Sequence, residues 1–324
     1  DSDYSDYTPA HLEVHKSVNY YITSEGDKIP ITDPRIVVVL PSMGNLAAPL
    51  FAAGFRSMGI NAVAMPEATP ETLKYGRAHT SGKECLPYIL CVGHLIDYIE
   101  NHWDGKQYIA FFVNESAGPC RVGQYNVLMK DIIRRKRLRN VTTLTLSNED
   151  AYAGMGPAFA MMAWETITTA DVLDDVRSAI WANAVDPEKG SSLFNEEFEK
   201  IVAGAEKGTG KLYKPLRAMA KSIKDELPAS RPIEESRYIA MCGEIYVRRD
   251  GFCHKWLNKR FAGKGFIIKD AYVGEFILYL EWLIKKGLLE PAHSCMDNIE
   301  IIVRAFTLGH VEKKIKKIIE KCAY

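Results

Sequence analysis

Long apolar runs, a dominant charge sign and paired cysteine motifs are all missing from this chain, and each absence removes a class of function. No stretch approaches the run of about 20 apolar residues that crosses a bilayer, and the polar start Asp1-Ser2-Asp3-Tyr4-Ser5-Asp6 is no signal peptide. Lysine and arginine together number 41, and so do aspartate and glutamate. No overall field therefore draws the chain to nucleic acid or to an anionic membrane, and neither is expected as a partner. Any charged partner must be met by a local patch. The seven cysteines are an odd number scattered through 324 residues, which argues against a secreted disulfide framework and for reduced thiols in a cytoplasmic protein. Low-complexity tracts and internal repeats are absent as well.

What is present is an ordinary globular composition, 47% hydrophobic and 25% charged, long enough for two domains with real cores. Ile36-Val37-Val38-Val39-Leu40 is a continuous β-branched run that ends at Pro41-Ser42-Met43-Gly44, the pattern of a buried parallel strand entering a loop. Asn45 is placed to cap a helix from Leu46 to Met58, with Gly59 to end it. Further strands are predicted at Asn61–Met65, Tyr108–Val113 and Val141–Leu146, with helices at Pro87–His102 and Gln124–Arg139. Alternating strands and helices predict an α/β fold, a doubly wound parallel sheet of Rossmann or flavodoxin type. From Phe159 to Leu227 the period is helical, and Pro228-Ala229-Ser230-Arg231-Pro232 reads as a linker. Strands at Tyr238–Cys242 and Phe266–Lys269, and a helix at Gly274–Lys286, then begin a second, smaller α/β domain. The expected organisation is an α/β cofactor-binding domain over 33–150, a helical insert or cap over 151–230, and a second α/β domain over 231–324.

Two cysteines stand out by their surroundings. Cys85 in Thr80-Ser81-Gly82-Lys83-Glu84-Cys85-Leu86-Pro87 and Cys120 in Ser116-Ala117-Gly118-Pro119-Cys120-Arg121-Val122-Gly123-Gln124-Tyr125 each sit where a loop becomes a helix, after the carboxyl end of a predicted strand. Unpaired N–H groups and the positive end of the helix dipole stabilise negative charge there. A cysteine so placed becomes a thiolate, and hence a metal ligand or a nucleophile. Gly82 and Gly118 let the backbone approach a bulky group closely and, with Arg121, are the candidate cofactor-binding residues. The competing reading, that both thiols are small buried core residues, rests on how often free cysteine is buried.

The same stretches, together with Gly243-Glu244-Ile245-Tyr246-Val247-Arg248-Arg249-Asp250, resemble the 2-hydroxyacyl-CoA dehydratase and CoA-substrate-specific activase superfamily, in particular the cluster-bearing region of its large fused activase-type proteins. The similarity runs from about Ile36 to the C-terminus. Related members include benzoyl-CoA reductases and double-cubane cluster proteins. The resemblance implies that Cys85 and Cys120 ligate a [4Fe-4S]-type iron–sulfur cluster, incomplete or absent in the isolated segment. It also implies electron delivery from an ATP-hydrolysing activase domain or protein, for reduction or dehydration of a small substrate of the CoA-thioester class. The alternative is a non-redox CoA-binding or regulatory interaction module of a larger activase-type protein. Structural zinc is disfavoured because no close-spaced ligand pairs occur.

Two thiols do not complete a cubane site. The family's further cysteine lies in a Pro-Phe-Gly-Cys-Met-Pro-like loop beyond the point where this chain ends, and His293-Ser294-Cys295-Met296-Asp297 is not accepted as a substitute. The start without methionine and the uncapped helical end lead to the expectation of a segment of a longer polypeptide. Cys91 is expected in the core, Cys242 at a strand end, and Cys253 and Cys322 have no ligand-like spacing. Glu244 and Arg248 are candidate catalytic residues, one for a substrate or water hydrogen bond and the other for a carboxylate or phosphate. An ion pair that merely holds their loop is an equal reading. Arg134-Arg135-Lys136-Arg137-Leu138-Arg139 is read first as a solvated helix end, and second as a dock for an acidic partner or the phosphates of CoA. His79 and His94 flank Cys85 and raise a Cys–His nucleophile as a minor alternative. Gly204-Ala205-Glu206-Lys207-Gly208-Thr209-Gly210-Lys211 has the wrong spacing for a phosphate loop, so ATP binding is not predicted.

Overall fold

In a computed structural model of the chain, residues 7–15, 18–115, 120–146, 155–288, 309–322 and 324 are described. Two compact units emerge, one comprising 1–161 with Asp250–Cys253, the other comprising 162–249 and 254–324.

The first unit is built on the β-branched run read from the sequence. Strands β1 (His11–His15), β2 (Val18–Ile22) and β3 (Lys28–Pro30) form a small antiparallel sheet. Strands β4 (Ile36–Leu40), β5 (Ala62–Ala64), β6 (Tyr108–Asn114) and β7 (Val141–Leu146) form a four-stranded parallel sheet in the order β5-β4-β6-β7. Val38 of β4 faces Ala62 on one side and Ala110 on the other. All five residues of β4 are buried, as a central strand covered on both faces requires. With the second strand outside the first and the chain then reversing direction, the order has the switch point of a doubly wound α/β sheet, and ligand sites in such sheets lie beyond the strands' carboxyl ends.

Helices α1 (Ala47–Ser57), α2 (Pro70–His79), α3 (Leu86–Asp97) and α4 (Tyr125–Arg135) flank the sheet. Phe51 of α1 packs edge-on to Phe112 of β6 at 5.7 Å and to Phe55 at 5.1 Å between ring centroids. Burying an aromatic of this size contributes roughly 2 kcal/mol. Leu46 rather than Asn45 occupies the cap position of α1, without a side-chain bond, and Gly59, at φ +76°, follows its end. Helix α2 was not anticipated. Its start is a reciprocal Thr69–Thr72 capping box followed by Pro70, and its short apolar content hides it from periodicity. It packs very closely on α3: a Cβ added at Gly76 would lie 1.9 Å from the Ile89 carbonyl oxygen, and one at Gly93 would lie 2.0 Å from that of Thr72.

The second unit contains α5 (Gly156–Asn183, from residue 162 on), α6 (Pro187–Ala205) and α7 (Tyr213–Glu226), then a two-stranded parallel sheet of β8 (Arg237–Met241) and β9 (Phe266–Asp270). Short helices α8 (Ile245–Arg249) and α9 (Leu257–Ala262) lie between the strands, α10 (Val273–Lys285) follows, and a further helix covers 309–319. Burial of a carboxylate among these helices is offset by hydrogen bonds: Glu165 accepts from Tyr213 Oη at 2.9 Å and from the Gly210 N–H at 2.7 Å. No helix among the described residues is long and apolar enough to cross a membrane.

Candidate functional site

Cys85 is the N-cap residue of α3, with Leu86 and Pro87 opening the helix, and its side chain is half-buried. The loop before it is held by its own side chains. Thr80 Oγ1 donates to the Gly76 carbonyl at 3.0 Å, and Glu84 Oε1 accepts from both the N–H and the hydroxyl of Ser81 at 3.1 Å. Burial pushes the Glu84 carboxyl up, but the hydrogen bonds from Ser81 outweigh it and hold the group below the ordinary carboxylate range. Gly82 turns the loop at φ +79°, with open space where a Cβ would stand. Because α2 lies between β5 and this loop, Cys85 follows a helix rather than a strand end as expected.

Cys120 is exposed and is the N-cap of a 3-10 turn, Arg121–Gln124, that runs directly into α4. Two contacts join the loops. Tyr125 Oη lies 2.6 Å from Cys85 Sγ, and Arg121 Nη1 donates to the Lys83 carbonyl at 3.1 Å. Residues some 40 apart in sequence are thus brought together, each thiol at the start of a helical segment. Gly118, the other predicted cofactor-binding glycine, lies outside the described residues. Beside the Cys85 loop is a pocket of about 300 Å³, lined among others by His79, Ser81, Glu84, Tyr88, Leu128 and Arg135.

The histidines do not engage the thiol. Cys85 is bonded to Tyr125, whereas His79 Nε2 faces Lys136 Nζ at 3.5 Å. Burial and then the Lys136 charge lower the His79 pKa. His94 is buried on α3, both ring nitrogens lack a hydrogen-bond partner among the described residues, and burial lowers its pKa to about 4, against the opposing pull of Asp250.

Glu244 and Arg248 belong to the second unit. Glu244 is exposed after β8 and accepts from the Val247 N–H at 2.7 Å, which ties the first turn of α8. Arg248 is buried and spends its donors on main chain: Nε on the Ala271 carbonyl at 3.0 Å and Nη1 on that of Gly243. Neither makes an ion pair among the described residues, so the loop is held by side-chain-to-backbone bonds rather than by charge pairing. Cys91 and Cys322 are buried, Cys242 is exposed just after β8, and Cys253 is half-buried. Cys295 lies outside the described residues.

Sequence reasoning gave no role to Asp250, which is fully buried in the first unit. Its Oδ2 accepts from Ser42 Oγ and from the Ala68 N–H, both at 3.1 Å, and its Oδ1 accepts from the Cys253 N–H at 3.2 Å. The Gly251 N–H adds a bond to Glu67 Oε1 at 3.1 Å. Asp250 therefore pins the loops that leave β4 and β5, at the sheet end where ligands bind in this architecture. The signal was an acidic residue closing an arginine-rich segment, and its partners lie about 180 residues or more away.

Among the described residues no group of three or more His, Cys, Asp or Glu side chains is disposed to hold a metal ion. The donor chemistry of what is present, two soft thiols on adjoining loops at helix starts, suits two ligands of an anionic iron–sulfur group and not a closed zinc site. No protein-family model, curated protein or solved structure matches the chain.

Proposed function

We propose that the chain is an iron–sulfur redox module in which Cys85 and Cys120 supply two ligands to a [4Fe-4S]-type cluster, with the remaining coordination supplied from elsewhere. The observation that carries this reading is the joining of the two cysteine loops through the Tyr125–Cys85 and Arg121–Lys83 contacts. A bound cluster would supply one-electron chemistry at low potential.

The residues of the chain set the conditions for it. Cys85 caps α3 without a side-chain hydrogen bond to the first turn, so what the helix start offers a charged sulfur is the positive end of its dipole. Tyr125 donates its hydroxyl to that sulfur when the thiol is deprotonated. Gly82, with no side chain and open space in front of it, leaves room for a bulky group beside the loop. Electrons come from an ATP-hydrolysing activase domain or protein, and the substrate is a small molecule of the CoA-thioester class. Glu244, exposed after β8, is the candidate for substrate contact, while Arg248 shapes the main chain around it. The alternative is a CoA-binding or regulatory module without redox chemistry. Tight binding of a CoA thioester by metal-free protein, undiminished by loss of both thiols, selects that alternative. Anaerobic iron and sulfide analysis of the protein and of its Cys85→Ala and Cys120→Ala variants tests the redox reading.

A further inference from the structure

The outward side of α4 carries two large aliphatic side chains that the fold does not bury. Val127 is 59% exposed and Leu128 39%, whereas Met129, Ile132 and Ile133 of the same helix are buried. Cations surround the pair. Lys130 and Arg134 follow Val127 along one helical row, Arg135 follows Leu128 along the next, and all three are exposed. Arg121 and Lys83, exposed on the two cysteine loops and joined by the bond from Arg121 to the Lys83 carbonyl, extend the same charge to the thiols. The opposing carboxylates among the described residues are Asp131, which pairs with Arg135 at 2.9 Å, Glu84, which is tied to Ser81, and Glu115, which accepts from Asn126 Nδ2 at 3.3 Å. The face remains positive on a chain whose formal net charge is zero.

We propose that this face is the docking surface for an acidic electron-donor protein, with Val127 and Leu128 as its apolar centre and Lys83, Arg121, Lys130, Arg134 and Arg135 as its rim. This rests on the redox reading above. A small apolar centre inside a charged rim is the anatomy of transient protein interfaces, and opposite charge on the partner raises the encounter rate and orients it. Nucleic acid is a poorer match, because among the described residues the face offers no exposed aromatic ring for base stacking, Tyr125 being buried. Cys120 stands exposed at the edge of the face, so a partner seated there is next to the thiols. Were a cluster bound by Cys85 and Cys120, it would supply a one-electron acceptor beside this face, and the reduced partner would be its donor.

Two measurements on the metal-free full chain test the proposal without reference to iron. The first compares alkylation of Cys120 by anionic iodoacetate with that by neutral iodoacetamide. The anionic reagent is expected to be favoured at low salt, and Lys130→Glu with Arg134→Glu is expected to reduce that preference at least about threefold, as added salt does. The second measures fluorescence-anisotropy binding of a labelled glutamate–leucine peptide of about 20 residues. The charge reversal is expected to weaken binding about tenfold or more, and Val127→Ser with Leu128→Ser about threefold, with unchanged circular dichroism. Reagent preference and peptide affinity that are indifferent to these variants overturn the proposal, as does tighter binding of a single-stranded oligonucleotide than of the peptide. Iron content unaffected by the cysteine variants defeats the redox reading and leaves these two readouts as they stand, so the two failures are distinguishable.

Discussion

The hydroxyl of Tyr125, the first residue of α4, lies 2.6 Å from the sulfur of Cys85, the residue that caps α3. One hydrogen bond thereby couples the two helix starts that the candidate site depends on. The Tyr125 ring also packs against Tyr88 of α3 at 5.1 Å between centroids, so the contact has both an apolar and a polar part. Tyr125→Phe keeps the ring and removes the hydroxyl. The expected loss of stability is about 1 kcal/mol, read from urea denaturation. Tyr125→Ala, which also removes the buried ring, is expected to cost roughly 3–5 kcal/mol. A Tyr125→Phe protein as stable as the native chain would show that the hydroxyl contributes nothing, and equal losses in the two variants would show that the ring contributes nothing.

Close approach of α2 and α3 gives a sharper test of the packing. Gly76→Ala and Gly93→Ala each drive a methyl group into a backbone carbonyl of the other helix, at 1.9 Å and 2.0 Å before relaxation. Backbone cannot swing aside as a side chain can, so each is expected to destabilise by about 2 kcal/mol or more. Gly82→Ala is the control. It meets no atom but sits at φ +79°, so only the left-handed penalty of about 1–2 kcal/mol applies. Thermal unfolding of the three variants ranks them, and a tolerated Gly93→Ala would contradict this helix contact.

Asp250 is expected to be among the most sensitive polar positions in the first unit. Asp250→Ala removes the acceptor of the Ser42 hydroxyl and the Ala68 N–H, two buried donors, and that of the part-buried Cys253 N–H. A loss of about 3 kcal/mol is expected, against about 1 kcal/mol for Ser42→Ala. Chemical denaturation of both variants measures the difference, and a neutral Asp250→Ala would refute the latch.

A pH dependence follows from Asp270, at the end of β9 in the second unit. Burial raises its pKa to about 7, Asp174 adds to the rise, and Arg249 opposes it. Its Oδ1 has no hydrogen-bond partner among the described residues, while Oδ2 accepts from Asn258 Nδ2 at 3.4 Å. The folded state therefore holds a proton that the unfolded chain, with a carboxyl pKa of about 4, has released. Between about pH 4 and pH 7 this group makes stability fall as pH rises, and above the folded pKa the loss is complete. Asp270→Asn mimics the neutral form. Its stability gain over the native protein is expected to grow from near zero at about pH 4 to a few kcal/mol near neutrality. Four of the five tryptophans, Trp164, Trp181, Trp256 and Trp282, lie in this unit, so intrinsic fluorescence reports its unfolding. A difference that does not change with pH would exclude the titration.

What could be read from the sequence follows the strength of the local signal. The runs at 36–40, 108–114 and 141–146 are β-branched or aromatic and bounded by turn residues, and they became β4, β6 and β7 with bounds within a residue of expectation. Strands β1 to β3 pair locally, with Ile22 opposite Lys28, but they were missed because what anchors them to the rest of the unit is a long-range contact. Tyr21, fully buried, donates its hydroxyl to the Ile109 carbonyl 88 residues away at 3.3 Å, and nothing near Tyr21 in the sequence announces that. Helix α2 was missed because it is mostly polar, although Thr69-Pro70 was a readable start signal. At the site, helix-start positions for Cys85 and Cys120 were legible from flanking glycine and proline. The Tyr125 contact and the Asp250 latch were not, since each needs the loops folded onto one another.

Metal content is the most direct test of the central claim, that Cys85 and Cys120 are two ligands of one iron–sulfur group. The full chain is to be purified and reconstituted anaerobically, and iron and acid-labile sulfide measured per protein with the absorption and EPR spectra, beside the Cys85→Ala, Cys120→Ala and Cys91→Ala variants. The account predicts iron and sulfide in the native chain and in Cys91→Ala, with both lost or sharply reduced when either Cys85 or Cys120 is removed. Iron and sulfide contents unchanged in the Cys85→Ala and Cys120→Ala proteins would contradict it.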